Sequence, residues 1–219
     1  MAIILCLETA TTNCSVSISN SGKVISLKED FNDKYSHSER LHCYIDDVIS
    51  ESNITLEELD AIAVSKGPGS FTGLRIGVSA AKGLCVSLDI PLISVNTLES
   101  MSHQVKDTLH TIIPMLDARR MEVYSAVFSG NKEQIRETKA EILDQDSFSE
   151  FIRGENIYFI GNGVRKYKEL CPYKNSTFLE DKLPSANEMA MIAEDRYLKK
   201  KFENVAYFEP YYLKDFILG

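Results

Sequence analysis

The sequence predicts an α/β fold made of two copies of a βββαβα unit, and three observations carry that prediction. Apolar residues recur with period two in some stretches and at helical spacing in others, and the two kinds of stretch alternate along the chain. Their order begins again after a join at 103–110. Finally, Leu5-Cys6-Leu7-Glu8-Thr9-Ala10 is paralleled by Met115-Leu116-Asp117-Ala118-Arg119: in both, an apolar strand ends in an acid, a tight turn follows, and an alternating strand returns.

The elements follow in order. Residues 2–7 are apolar and β-rich, and run into Glu8 without a preceding basic stretch, so they read as a strand and not as a signal peptide. Glu8-Thr9-Ala10-Thr11-Thr12-Asn13 is a polar turn, and residues 14–19 alternate strictly, as a half-buried strand does. Asn20-Ser21-Gly22 turns the chain into a third strand, Lys23 to Phe31. Ser36 and Ser38 offer N-caps to a helix over 38–51, whose apolar face is Leu41, Ile45, Val48 and Ile49. Asp60 to Ser65 is a short buried strand, Lys66-Gly67-Pro68-Gly69 breaks the chain, and Ser70 to Leu88 is a second helix. A strand at Pro91–Val95 and a helix over 97–108 close the first copy. In the second copy, strands are expected at Thr111–Leu116, Met121–Phe128, 133–142 and Asn156–Ile160, with a weak helix at 146–152. A helix near 185–199 presents Met189, Ile192, Ala193 and Tyr197 on its apolar face. The expected domains are an N-terminal lobe at 1–104, a C-terminal lobe at 105–195, and a segment at 196–219 that packs back on the body.

Composition excludes several function classes. Of 219 residues, 44% are hydrophobic and 26% charged, enough for a packed core. Lys+Arg is 24 against 32 Asp+Glu, a net charge of −8, which disfavours a stand-alone nucleic-acid binder. No segment approaches the roughly 20 apolar residues that cross a bilayer. The five cysteines (Cys6, Cys14, Cys43, Cys85, Cys171) are odd in number and form no CxxC, so they read as reduced, buried thiols of a cytoplasmic protein. The four histidines fall in no HExxH or Cys/His cluster.

Residues 60–84 carry the most information. A strand, a glycine loop and a helix suggest an anion site at a helix N-terminus, yet the phosphate-loop spacing is absent. Gly67, Gly69 and Gly73 give G-x-G-x-x-x-G and not the dinucleotide fingerprint, and G-x-S-x-G is missing, so Ser70 or Thr72 reads as an N-cap. Gly73, Gly77 and Gly83 each cost a helix about 1 kcal/mol relative to Ala at exposed sites, so something compensates. Gly73, Gly77, Ala80, Ala81 and Leu84 share one face at i, i+4, i+7, i+8 and i+11. That smooth face either packs inside this chain or meets a helix of another subunit.

Gly67-Pro68-Gly69-Ser70-Phe71-Thr72-Gly73-Leu74-Arg75-Ile76-Gly77 resembles the signature of the TsaB (YeaZ) family. Further similarities are Leu7-Glu8-Thr9-Ala10, His37-Ser38-Glu39-Arg40-Leu41, Val95-Asn96-Thr97-Leu98, Leu116-Asp117-Ala118-Arg119 with Glu122-Val123-Tyr124, and Glu209-Pro210-Tyr211-Tyr212-Leu213. The resemblance implies a two-lobed actin-like ATPase (ASKHA) fold and a role in making threonylcarbamoyladenosine next to the anticodon of tRNA. It implies a partner, TsaD, that transfers the threonylcarbamoyl group, and an ATPase, TsaE, that joins the pair. It implies that such a pair forms through the first two helices of this chain. The expected partner-binding residues are therefore Gly69, Thr72, Gly73, Arg75, Ile76, Gly77, Ala80, Ala81 and Leu84, with Leu41 and Ile45 from the helix beside them. Arg75 is expected to meet a carboxylate, across the interface or within this chain.

The same comparison implies a subunit without catalysis of its own. TsaD carries a metal-binding His pair in a segment similar to Asn-His-Leu-Glu-Gly-His, whereas here Asn96-Thr97-Leu98-Glu99-Ser100-Met101 puts Thr97 and Met101 at those places. The turns Glu8-Thr9-Ala10-Thr11 and Asp117-Ala118-Arg119-Arg120 lack the glycines that let a phosphate approach backbone N–H groups, and only Gly161-Asn162-Gly163 is similar to an adenosine-side loop. No cofactor or metal of its own is expected; a nucleotide shared at the interface with TsaD and TsaE is a weaker expectation. Lys199-Lys200-Lys201, with Arg196, reads as a solvated face, with tRNA phosphate as the other reading. The competing functions are a peptidase or ATPase of the same fold, using Ser70 or Glu8 and Asp117 around Mg²⁺, and a self-associating regulatory homodimer.

Overall fold

A computed structural model describes residues 2–30, 37–106, 109–152 and 156–214. Phe31 and Ser36, a predicted strand end and cap, lie outside them, as do residues 107 and 108 of the predicted third helix. The chain forms two units, residues up to Ser100 with Pro184–Tyr212, and Met101–Leu183 with Leu213 and Lys214.

The first unit opens with an antiparallel meander, β1 (Ile3–Glu8), β2 (Cys14–Asn20) and β3 (Lys23–Asp30). Helix α1 (His37–Ser52) leads to β4 (Ala61–Gly67), and α2 (Phe71–Leu88) to β5 (Leu92–Asn96), with β4 parallel to both β1 and β5. Sheet order is β3-β2-β1-β4-β5, and α3 (Thr97–Ser102) follows. The predicted helix over 97–108 stops early because Gln104 and Val105 donate to carbonyls three residues back, as tight turns do.

The second unit repeats this plan. Strands β6 (Thr111–Asp117), β7 (Glu122–Phe128) and β8 (Gln134–Ile142) form the meander, and β9 (Ile157–Gly161) and β10 (Ser176–Glu180) extend it in parallel. Its order, β8-β7-β6-β9-β10, matches the first sheet strand for strand. The intervening helices shrink to a 3-10 turn at Ser149–Phe151, inside the predicted 146–152, and to α4 (Val164–Lys168). Its core is aromatic: Phe148, Phe159 and Tyr167 pack edge to face, and the buried Tyr167 hydroxyl donates to the Ser147 carbonyl at 2.5 Å.

The last helix, α5 (Ala186–Leu198), corrects the predicted boundary that placed it in a lobe at 105–195. Alternation along β1 buries Leu5 and Leu7 toward Leu41, Ile45, Val48 and Val78 of α1 and α2. It sends Ala2, Ile4 and Cys6 to the other face, against Ala186, Met189, Ile192 and Ala193 of α5. Helix α5 therefore covers the first sheet. The segment after it stays with this unit: Glu203 bridges to Leu92, and the Tyr211 N–H donates to the Lys66 carbonyl at 2.7 Å.

Candidate functional site

The turn Glu8–Asn13 organises both N-terminal helices. The Thr11 carbonyl accepts from His37 Nε2 of α1 at 2.6 Å, and burial holds the His37 imidazole below its ordinary pKa. The Ala10 carbonyl accepts from the Ser70 N–H at 2.6 Å. Ser70 is the N-cap of α2, its Oγ accepting from the Gly73 N–H at 3.2 Å. Glu8 is fully buried; its Oε1 accepts from the Ala10 N–H at 2.6 Å, and burial outweighs that bond and pushes the carboxyl up to about 7.

The glycines of α2 serve this turn. A Cβ at Gly73 would overlap the Thr9 carbonyl oxygen, one at Gly77 would overlap Thr9 Oγ1, and one at Gly69 would overlap the Ala10 carbonyl oxygen. Gly73 and Gly77 are buried against the Glu8–Asn13 turn, and Ala81 is buried in the core with Leu41 and Ile45 of α1. Of the two readings of the small face, close packing inside the chain holds for these residues, and none of them is available to a partner. The buried glycines thereby receive the compensation their cost demands.

The remaining predicted residues face outward. Arg75, Ile76, Ala80 and Leu84 line an open groove of about 630 Å³, together with Ser79 and Gly83 of α2 and Ser38 and His42 of α1. Ile76, Ala80 and Leu84 are half-buried, each packing one side on the core and turning the other to the groove. Thr72 is exposed and Gly69 half-buried, and neither lines the groove. Arg75 meets no carboxylate within the described residues of this chain; it lies over the Phe71 ring, 3.9 Å from its centroid, with Nε donating to the Tyr212 hydroxyl at 3.2 Å. Ser79 and Gly83 were legible as the i+3 and i+7 neighbours of Ile76, but Ser38, His42 and the Phe71–Tyr212 clamp had no periodic signal.

In both acid turns several backbone N–H groups are engaged within the chain. In the first, Thr9, Ala10 and Asn13 donate theirs to Ser65 Oγ, Glu8 Oε1 and Thr11 Oγ1. In the second, Asp117, Ala118 and Arg119 donate to Asn162 Oδ1, the Glu122 carbonyl and Asp117 Oδ1, and Lys166 Nζ pairs with Asp117 at 2.9 Å. Thr97 and Met101 are fully buried. All five cysteines are free; Cys6, Cys14 and Cys85 are buried, and Cys43, counter to expectation, is exposed.

A family model described as TsaD, tRNA N6-adenosine threonylcarbamoyltransferase, matches residues 33–217. A Haemophilus influenzae protein named tRNA threonylcarbamoyladenosine biosynthesis protein TsaB is 30% identical over 97% of this chain and 93% of its own length. A Pseudomonas aeruginosa structure, of a protein with similarity to peptidase YEAZ, superposes with a TM-score of 0.88 at 24% identity, over 98% of this chain and 100% of that one. The activator of 2-hydroxyisocaproyl-CoA dehydratase from Clostridium difficile, solved with ADPNP, superposes with a TM-score of 0.50 at 12% identity, over 93% of this chain and 98% of that one. These two structures speak for the fold alone, which is the predicted actin-like ATPase type. The repeated sheets, the Gly67–Gly77 loop and helix, and the near full-length relative converge on one conclusion: this chain belongs to the TsaB (YeaZ) family.

Proposed function

We propose that this chain is a non-catalytic subunit of tRNA threonylcarbamoyladenosine synthesis that docks TsaD, and with it TsaE, through the groove between α1 and α2. One observation carries the reading: Ile76, Ala80 and Leu84 form an apolar stripe on α2 that the chain leaves half-covered, beside Ser38 and His42 of α1. A stripe at i, i+4 and i+8 is what a facing helix packs against. The engagement of the backbone N–H groups in both acid turns supports a scaffold over an ATPase, and the capping role of Ser70 weighs against a nucleophile.

The test is Gly83→Arg. A Cβ there meets nothing within 4 Å, so the fold tolerates the side chain, and Arg is the better helix former by about 1 kcal/mol. The bulk lies in the groove. Light scattering of the variant mixed with TsaD is expected to show separate proteins where the parent pairs. Threonylcarbamoyladenosine formation on unmodified tRNA is expected to fall to the level seen without this chain, at an unchanged or higher melting temperature. A variant that pairs like the parent removes the groove from the interface.

A further inference from the structure

We infer that Arg75 selects the partner: its guanidinium is a preset receptor for an aspartate or glutamate on the helix that docks in the α1–α2 groove. This rests on the docking reading above and adds the chemistry the partner must bring.

The clamp fixes the group before any partner arrives. The Phe71 and Tyr212 rings have centroids 4.8 Å apart, and the Arg75 guanidinium carbon lies 3.9 Å from the first centroid and 5.9 Å from the second. Tyr212 is itself placed by the hydrogen bond from the Tyr211 N–H to the Lys66 carbonyl. Nε is occupied by the Tyr212 hydroxyl, which leaves the two terminal amino groups. Among the described residues, no hydrogen bond or ion pair engages them.

Carboxylates outnumber cationic side chains 32 to 24. Arg40, Arg136 and Arg196 each pair with one and Arg165 with two, whereas Arg75, like Arg119 and Arg120, has no ion pair among the described residues. Arg75 instead has aromatic faces, which bind a guanidinium without using the donor fork that matches a carboxylate. Because the clamp removes most of the rotamer freedom, a carboxylate that meets the fork orders little else. A partner helix without an acid at that register would cover the charge and leave it uncompensated, so the same residue rejects wrong partners. Charge complementarity and the apolar stripe beside Arg75 together describe the occupant: a helix with a small apolar stripe and one acidic residue placed against Arg75.

The experiment is titration of the full-length chain with TsaD, reading affinity and its salt dependence. Arg75→Gln, which keeps the bulk and removes the charge, is expected to weaken pairing about 30-fold or more and to flatten its salt dependence. Arg75→Glu is expected to abolish pairing, and reversal of one acidic residue on TsaD's docking helices to Lys is expected to restore it. Circular dichroism melts within a few degrees of the parent report an intact fold. If Arg75→Gln and Arg75→Glu pair like the parent while Gly83→Arg does not, the inference falls and the docking site stands. If Gly83→Arg also pairs, the docking reading fails with it. A loss in Arg75→Glu that no acid-to-Lys reversal rescues also overturns the carboxylate assignment. Pairing of Arg75→Glu with a second copy of itself would assign the groove to self-association.

Discussion

At the end of β1 a carboxylic acid sits with no exposed surface, one oxygen bonded to the Ala10 N–H and the other, Oε2, buried without a partner. Glu8 thus pays a desolvation cost that its hydrogen bonds do not cancel, and its value rises from 4.5 to about 7. The consequence for stability has a definite sign. Below pH 4.5 the folded and unfolded chains both hold the proton. As pH rises toward 7 the unfolded chain releases it while the folded chain keeps it, so unfolding gains and stability falls. Above 7 the loss is complete, on the order of 3 kcal/mol. Glu8→Gln, which cannot ionise, is expected to remove that slope. Urea unfolding of parent and variant between pH 4.5 and 8 checks it: the difference in stability should drift in the variant's favour through this window and level off above it. A constant difference would mean that the folded carboxyl titrates like an exposed one. Nothing in the sequence marked Glu8 as buried, because an acid after an apolar strand reads equally well as the first polar residue of a solvated turn.

At the scale of the element, α2 shows where sequence periodicity loses its grip. Its inward face is Gly73, Leu74, Gly77, Val78, Ala81 and Cys85, and its groove face is Ile76, Ser79, Ala80, Gly83 and Leu84. Both faces are small or apolar, so the pattern that separates inside from outside on an amphipathic helix is nearly absent. The existence and limits of the helix were legible from Ser70 and the apolar run, but the face was not. Contact with the Glu8–Asn13 turn decides it. The two kinds of glycine should respond oppositely to the same substitution. Gly77→Ala forces the new methyl into Thr9 Oγ1 and is expected to destabilise by about 1–3 kcal/mol. Gly83→Ala meets open space and is expected to stabilise by about 1 kcal/mol. Thr9→Ala combined with Gly77→Ala should recover part of the loss, because the clash is with the side chain Thr9 then lacks. Chemical denaturation of these three variants and of Thr9→Ala alone gives all these signs. A stabilised Gly77→Ala would put Gly77 on the surface.

At the scale of the whole molecule, the duplication was legible because each copy repeats a local signal: strand, acid, turn, answering strand. The cover of each sheet was not, because it is decided by contacts far apart in sequence. The second copy kept five strands in the order of the first while its helices shortened to five residues in α4 and a 3-10 turn, lengths too short for a period to register. Strand β10 (Ser176-Thr177-Phe178-Leu179-Glu180) was missed because its two apolar residues are adjacent and show no alternation. The helix after it, α5, follows the second sheet in sequence and caps the first in space, through Met189 and its neighbours against Ile4, Cys6 and Ile93. The two assignments predict different outcomes for Met189→Ala. Met189 is fully buried, so the truncation leaves a cavity expected to cost about 2–5 kcal/mol. If α5 belongs to the first sheet, hydrogen exchange should show the amides of β1, β4 and β5 losing protection first, while those of β6 and β9 open as they do in the parent. Loss confined to β6, β9 and β10 would return α5 to the domain its sequence position indicates. The distinction bears on function, because β1 and β4 carry the turn and the loop that seat α1 and α2. A weakened α5 should therefore also loosen the groove face from behind, and the proposed pairing with TsaD is expected to weaken in Met189→Ala without any change in the residues that line the groove.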